Sequence, residues 1–109
     1  MQELFEKQIN SLKEAHFHIL YWTAMAEEMD QKYNITNIFD DLKFIGATRT
    51  KQSAVALVDS LSVLCFININ GESNRKNIYI TKYGAKVLEF LMVERDYKIK
   101  KSMFLEGIE

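Results

Sequence analysis

The run T-R-T-K-Q-S-A-V-A-L-V-D-S-L-S-V-L-C-F-I-N-I-N-G-E-S-N-R-K-N-I-Y-I-T-K-Y-G, Thr48 to Gly84, changes its apolar period half-way. Ala54, Leu57, Val58, Leu61 and Cys65 recur at helical spacing, with Gln52, Ser53, Ala56, Asp59 and Ser60 mainly on the opposite side. Thr50, or Thr48 just before it, can cap this helix, which runs through Leu64. From Ile67 the period becomes two. Ile67 and Ile69 face one way and Asn68 and Asn70 the other; Ile78 and Ile80 match them, with Tyr79 opposite. Gly71, Glu72, Ser73 and Asn74 supply turn chemistry. The connection reads as longer than a two-residue hairpin loop, with a mobile tip. Thr81 then closes the second strand and can cap a last helix, from Lys82 to about Asp96.

Working outward, residues 2 to about 15 read as a helix, with Leu4, Phe5, Ile9, Leu12, Ala15 and Ile19 on one face. Helix-favouring residues continue from Phe17 to about Gln31, with a bend near His16 or none. A further helix is predicted from Asn37 to about Ile45, capped by Thr36 or Asn37 and ended by Gly46. The last helix carries Ala85, Val87, Leu88, Phe90, Leu91, Met92 and Val93, too many apolar sides for one small core. A helix of that kind is buried all round, and a second subunit is the natural cover. Leu4, Phe5, Ile9, Leu12, Val87, Phe90 and Leu91 are therefore expected at a homodimer interface, the N-terminal helix accompanying the last one.

The chain has 109 residues, which predicts a single domain over 1–109. With 48% apolar and 27% charged residues, it has the balance of a folded protein rather than a disordered one. The formal net charge of -1 hides an uneven distribution. Residues 1–48 sum to -4, residues 49–86 to +4 and the remainder to -1. Local charge steers ligands more than the total does, so the middle third is the part suited to an acidic partner.

One cysteine excludes an intramolecular disulfide, and Cys65, in an apolar run, reads as a buried reduced thiol. The start M-Q-E-L-F-E-K lacks the continuous apolar segment of a signal peptide, and no apolar stretch reaches membrane-spanning length. A cytoplasmic protein without membrane contact is expected. Enzyme signatures are absent: there is no P-loop, no dinucleotide-binding glycine run and no G-x-S-x-G, and H-F-H at 16–18 is not H-E-x-x-H. Asp40 and Asp41, like Glu27 and Glu28, are adjacent and diverge by about 100° on a helix, so they read as solvated charge. His16, His18 and Trp22 read as packing residues at a core edge or subunit boundary. No metal site and no cofactor are expected, since His16 and Cys65 lack further ligands at metal spacing.

Helix, helix, tight turn, helix, hairpin, helix is the order of a winged helix-turn-helix, an α+β but mostly helical fold. A helix with small polar residues on its free face can enter the major groove of duplex DNA. Its start carries Arg49, Thr50, Lys51, Gln52 and Ser53. Cations at a helix N-terminus oppose the helix dipole, and an external anion such as a phosphate resolves that conflict. The hairpin tip carries Asn74, Arg75 and Lys76, placed to touch the adjacent backbone or minor groove. These residues are the candidate DNA contacts, with the helix-turn-helix over about 37–65 and the wing over about 66–81.

I-T-N-I-F-D-D-L-K-F-I-G-A-T-R-T-K-Q-S-A-V-A-L-V-D-S-L-S-V-L-C-F-I, Ile35 to Ile67, resembles the helix-turn-helix of MarR-type regulators. R-K-N-I-Y-I-T-K-Y-G-A-K-V-L-E-F-L, Arg75 to Leu91, resembles their wing return and dimerisation helix. The resemblance implies a dimeric, sequence-specific binder of double-stranded DNA, commonly a repressor, with recognition residues at Thr50 to Ser53 and a wing arginine at Arg75. Two departures stand out. The family has an acidic residue near the position of Asn74, and its corner glycine before the wing corresponds to Cys65. Small TubR-like centromere binders of plasmids and phages share the size and layout, so a partition factor is an alternative. A winged helix used for protein contact is another.

Overall fold

The computed structural model describes residues 2–72 and 74–107. Its elements are α1 (Gln2–Asn10), α2 (Glu14–Glu28), α3 (Ile35–Phe44), α4 (Lys51–Val63), β1 (Ile67–Glu72), β2 (Arg75–Ile80), α5 (Lys82–Glu94) and α6 (Met103–Glu106). The helix-turn-helix is α3 and α4, and the antiparallel pair β1–β2 is the wing. The architecture is therefore the mostly helical winged helix-turn-helix that the order of periods predicts.

The first helix is shorter than its apolar pattern suggested. It ends at Asn10, and α2 starts afresh at Glu14, where His16 Nδ1 accepts the Lys13 backbone N–H at 2.9 Å. α2 is the helix buried all round: Phe17, His18, Ile19, Leu20, Trp22, Thr23 and Ala26 are all inside. It packs against α4, α5 and β2, and so occupies the centre. α5 had been expected to carry more apolar sides than one small core can cover. In this chain α5 buries Gly84, Val87, Leu88 and Leu91 and leaves Phe90, Met92 and Val93 exposed.

α3 starts two residues earlier than predicted. Its cap is Asn34, not Thr36 or Asn37. Asn34 Oδ1 accepts the Asn37 N–H at 2.9 Å, and Asn37 Oδ1 accepts the Asn34 N–H at 3.2 Å, a reciprocal capping pair. Gly46, with φ of +79°, ends it in the left-handed conformation while Ala47 N–H reaches back to the Leu42 carbonyl. Of the adjacent carboxylates expected in water, Asp40 is exposed but Asp41 is fully buried.

α4 ends at Cys65, whose φ of +65° places it where a helix usually puts glycine. The predicted buried thiol is therefore corrected: Cys65 is exposed, because a left-handed residue swings its side chain out of the helical stripe. The Phe66 N–H then closes on the Leu61 carbonyl and the chain enters β1.

In the wing Ile67 pairs with Ile80 and Ile69 with Ile78, putting the isoleucines on one face as the alternation requires. Pairing continues to Glu72 opposite Arg75. Gly71 and Glu72 therefore belong to β1, and the predicted long loop is a tight connection through Asn74, whose φ is +68°. Ser73, assigned to the turn, lies outside the described residues. The wing also has a third contact on its β2 edge: Ile78 N–H donates to the Tyr33 carbonyl at 2.7 Å, and Asn34 bridges to Asn77.

Thr81 caps α5. Its hydroxyl accepts the Gly84 N–H at 3.0 Å and donates to the Cys65 carbonyl at 2.7 Å. The first turn of α5 lies so close to the corner that a Cβ on Gly84 would stand 2.0 Å from the Phe66 carbonyl oxygen and 2.9 Å from Ile80 Cγ1. Alanine gains up to about 1 kcal/mol in helix propensity over glycine. Overpacking against backbone that cannot rotate away costs about 1–3 kcal/mol or more, so the clash wins. Gly84→Ala is expected to lower the urea-unfolding free energy by about 2 kcal/mol; an unchanged or raised midpoint would contradict the close approach.

Candidate nucleic-acid interface

Local hydrogen bonding defines the start of α4. Thr48 is buried, and its hydroxyl donates to the Thr50 carbonyl at 3.1 Å, folding the turn that carries Arg49 outward. Thr50 is the cap; its Oγ1 accepts the Ser53 N–H at 3.1 Å and donates to Ser53 Oγ at 2.9 Å. Both hydroxyls thus serve the helix end first. Arg49, Lys51 and Gln52 are exposed around it. Lys51 Nζ lies 3.4 Å from Thr36 Oγ1, so this lysine leans toward the start of α3. Neither Arg49 nor Lys51 has a salt-bridge partner among the described residues, and no protein anion answers their charge at the helix N-terminus.

The wing stands opposite. An open groove separates it from α4, with Val55 and Ile69 in the wall and Lys51, Asn74, Arg75 and Lys76 around it. Lys76 leaves β2 on the isoleucine side, facing the groove, by the period-two rule. Arg75, its neighbour, also borders a second hollow with Lys32, Glu72 and Asn77. Of the predicted contacts, the structure brings Lys51, Asn74, Arg75 and Lys76 together around this groove, while Arg49, Thr50, Gln52 and Ser53 are exposed at the start of α4 outside its lining. Asn74 also shapes the tip through its left-handed backbone.

Two features of this surface had no sequence signal, and one, Asp59, had. Lys32 Nζ meets Glu72 Oε2 at 2.8 Å, and Asn77 Nδ2 reaches the same oxygen at 3.2 Å. The Lys32 ammonium, by hydrogen bond and charge, holds the Glu72 carboxyl below its usual range. The one acidic residue of the wing is thus occupied, leaving Arg75 and Lys76 as its free charge. Lys32 and Glu72 are 40 positions apart, and no periodicity links them. Second, Asp59, which the helical period had put on the outward side of α4, lines the groove as its one carboxylate among the described residues. Third, Ser60 was expected on the outward face of α4, but it turns inward: its Oγ lies 3.1 Å from His16 Nε2 and donates to the Leu57 carbonyl at 2.8 Å. α4 is thereby tied to α2.

The residues expected between subunits divide into two groups. Ile9, Leu12, Val87 and Leu91 are buried in the chain's own core and Phe5 packs partly against it. Leu4 and Phe90 remain at the surface, joined by Tyr83 and Val93. Tyr83, Phe90 and Val93 follow i, i+7 and i+10 spacing, one stripe along α5. Beside the stripe, Leu4 and Phe5 of α1 border an apolar cleft with Tyr83, Leu64, Cys65 and Phe66.

Solved structures share this fold. The chain superposes on MepR, a transcription regulator of the Staphylococcus aureus multidrug efflux pump MepA, with a TM-score of 0.63 and 20% identity, covering 87% of this chain and 70% of that one. The S. aureus MepR–DNA complex matches with a TM-score of 0.64 and 20% identity, covering 87% and 68%. The fold resembles that of MarR-family winged helix-turn-helix regulators. No family model and no curated protein sequence matches the chain. Among the described residues no cluster of three His, Cys, Asp or Glu could hold a metal, and no helix is long and apolar enough to cross a membrane.

The His16 contact to the recognition helix carries a pH dependence. Nδ1 accepts from Lys13, so the proton sits on Nε2 and is donated to Ser60. Burial, then the Lys13 charge, lowers the imidazole pKa below 6.5. The unfolded chain therefore takes up a proton before the folded one does as pH falls, and stability is lost downward through 6.5 toward the lowered folded value. Urea midpoints at pH about 7.5 and about 5.5 should differ, and His16→Gln should shrink that difference. An equal difference in the variant would remove His16 from the linkage.

Proposed function

We propose that this chain binds double-stranded DNA sequence-specifically as a homodimer and acts as a transcriptional regulator, in the sense of a repressor. The observation that carries the reading is the pair of cationic walls. Lys51 at the start of α4 and Arg75 and Lys76 on the wing line one groove, and Arg49 is exposed beside Lys51 at the same helix N-terminus. A helix inserted in a major groove with a wing on the adjacent strand needs this spacing of charge. The likeness of this fold to the S. aureus MepR–DNA complex supports a DNA-binding reading. Gln52, the small Ala56 side chain and the free lone pairs of Asp59 supply the base-reading face, while the lysines and arginines supply position.

Two recognition helices reading a two-fold site require two copies. The stripe of Tyr83, Phe90 and Val93 with Leu4 supports a dimer through α5 and α1, and Val93 is 75% exposed. Burying such a stripe offsets the cost of leaving it in water at about 25 cal/mol per Å². Aspartate there should be tolerated by the monomer fold and should oppose pairing.

Duplex binding titrated against salt tests the first part. Each phosphate contact adds about 0.9 to the slope of log affinity on log salt, so Arg75→Ala or Lys76→Ala should lower the slope by about one and weaken all duplexes alike. No duplex binding at low salt would defeat the reading. For the second part, Val93→Asp should convert a dimer to a monomer in sedimentation while leaving the circular dichroism spectrum intact. A dimer that survives the substitution would place the interface elsewhere.

A further inference from the structure

Beyond α5 the chain turns at Asp96, whose φ of +51° is left-handed, and runs back over α2 and α3 as far as the short helix α6. Most of this return is irregular, so its backbone groups need partners from elsewhere. They find them on side chains. The Lys100 N–H donates to His18 Nε2 at 3.1 Å, and the Lys100 carbonyl accepts from Trp22 Nε1 at 2.9 Å. The Tyr97 ring lies 5.3 Å from that of Phe17, and the Phe104 ring 5.5 Å from that of Tyr33. Leu105 is buried.

The strongest anchor is Asp41. It is fully buried on α3, with no salt bridge among the described residues. Its carboxylate accepts instead from the Tyr33 hydroxyl at 2.5 Å, from the Ser102 hydroxyl, and from the Phe104 backbone N–H at 3.1 Å. Burial and the neighbouring Asp41 charge push the Tyr33 hydroxyl well above its usual range, which keeps it a donor. Two of the three donors therefore come from the returning segment. Without them a buried carboxylate would keep one partner, and a charge left unpaired inside a protein costs far more than an ordinary lost contact. α3 would have to move to bring Asp41 to water. α3 is also the element on which α4 packs.

The geometry points to residues 97–106 as a positioning strap for the DNA-reading half. Through Asp41 the strap sets α3, and through α3 it sets the seat of the recognition helix. Its other end is the end of α5, which Arg95 Nη2 also ties to Asn10 Oδ1 of α1 at 2.6 Å. The strap thus joins the helices carrying the exposed apolar stripe to the helix-turn-helix by a route separate from the wing. Ser102 and Asp41 are positioning residues; neither lines the groove. The effect on DNA rests on the DNA-binding reading, while the effect on α3 does not.

The test uses the full chain with Ser102→Ala, which removes one donor to Asp41, and separately with Trp22→Phe, which removes the tie to Lys100. Ile9→Ala, in the core of α1, is the control for general loss of stability. Amide hydrogen exchange should rise about tenfold or more in α3 and the strap of the Ser102 variant, with β1, β2 and α5 little changed. Duplex affinity should fall several-fold with an unchanged salt slope, since every cation remains. The proposal is overturned if α3 exchange rises no more than the rest of the chain, or no more than in Ile9→Ala. It is also overturned if α3 loosens while duplex affinity stays the same. If the unaltered chain binds no duplex, the DNA reading fails alone, and the exchange pattern still decides whether the strap holds α3.

Discussion

One residue joins three parts of this molecule. Thr81 donates to the Cys65 carbonyl at the end of the recognition helix and accepts the Gly84 N–H at the start of α5. Its own backbone N–H meets the Phe66 carbonyl at the base of the wing. The corner works only because Gly84 has no Cβ and because Cys65 takes a left-handed conformation. Both conditions are local, yet they fix how α4, the wing and α5 meet. A fault at this corner would reach the candidate DNA surface and the apolar stripe together.

Around that corner the core is organised by α2 rather than by a terminal helix. α2 carries two histidines inside, and each is used as a connector. His16 links to Ser60 of α4, and His18 links to the strap. Buried polar groups are tolerated where their hydrogen bonds are complete, and among the described residues no buried side-chain polar atom is left without a partner. The same rule governs Asp41. Its burial beside three donors makes the position of α3 depend on residues more than 60 positions away.

Charge behaves in a comparable way. The total of -1 says little, because the relevant cations are concentrated on two facing walls. The Lys32–Glu72 pair is exposed and contributes little to stability, as surface pairs generally do. Its effect is on the field at the wing, where it offsets the one negative charge and leaves Arg75 and Lys76 unopposed. The absence of an acidic residue at position 74 does not deprive the wing of order: the Asn74 backbone makes the turn, and Tyr33, Asn34 and Lys32 hold the edge.

The sequence by itself determined the order of elements, because helix and strand periods are properties of neighbouring residues. Ala54, Val58 and Leu61 marked α4, the alternating isoleucines marked the wing, and Thr50 and Thr81 marked helix starts. The helix-start cations were legible for the same reason. Local pattern did not mark α2 as the central helix, because its apolar residues run all round and point to no single face. Nor could it separate Asp41 from Asp40, since both are adjacent carboxylates until Tyr33, Ser102 and Phe104 arrive from other parts of the chain. The Lys32–Glu72 pair, the His16–Ser60 tie and the returning strap are decided only in three dimensions. Each depends on side chains brought together by packing across long sequence separations, and no period in the sequence records such a meeting.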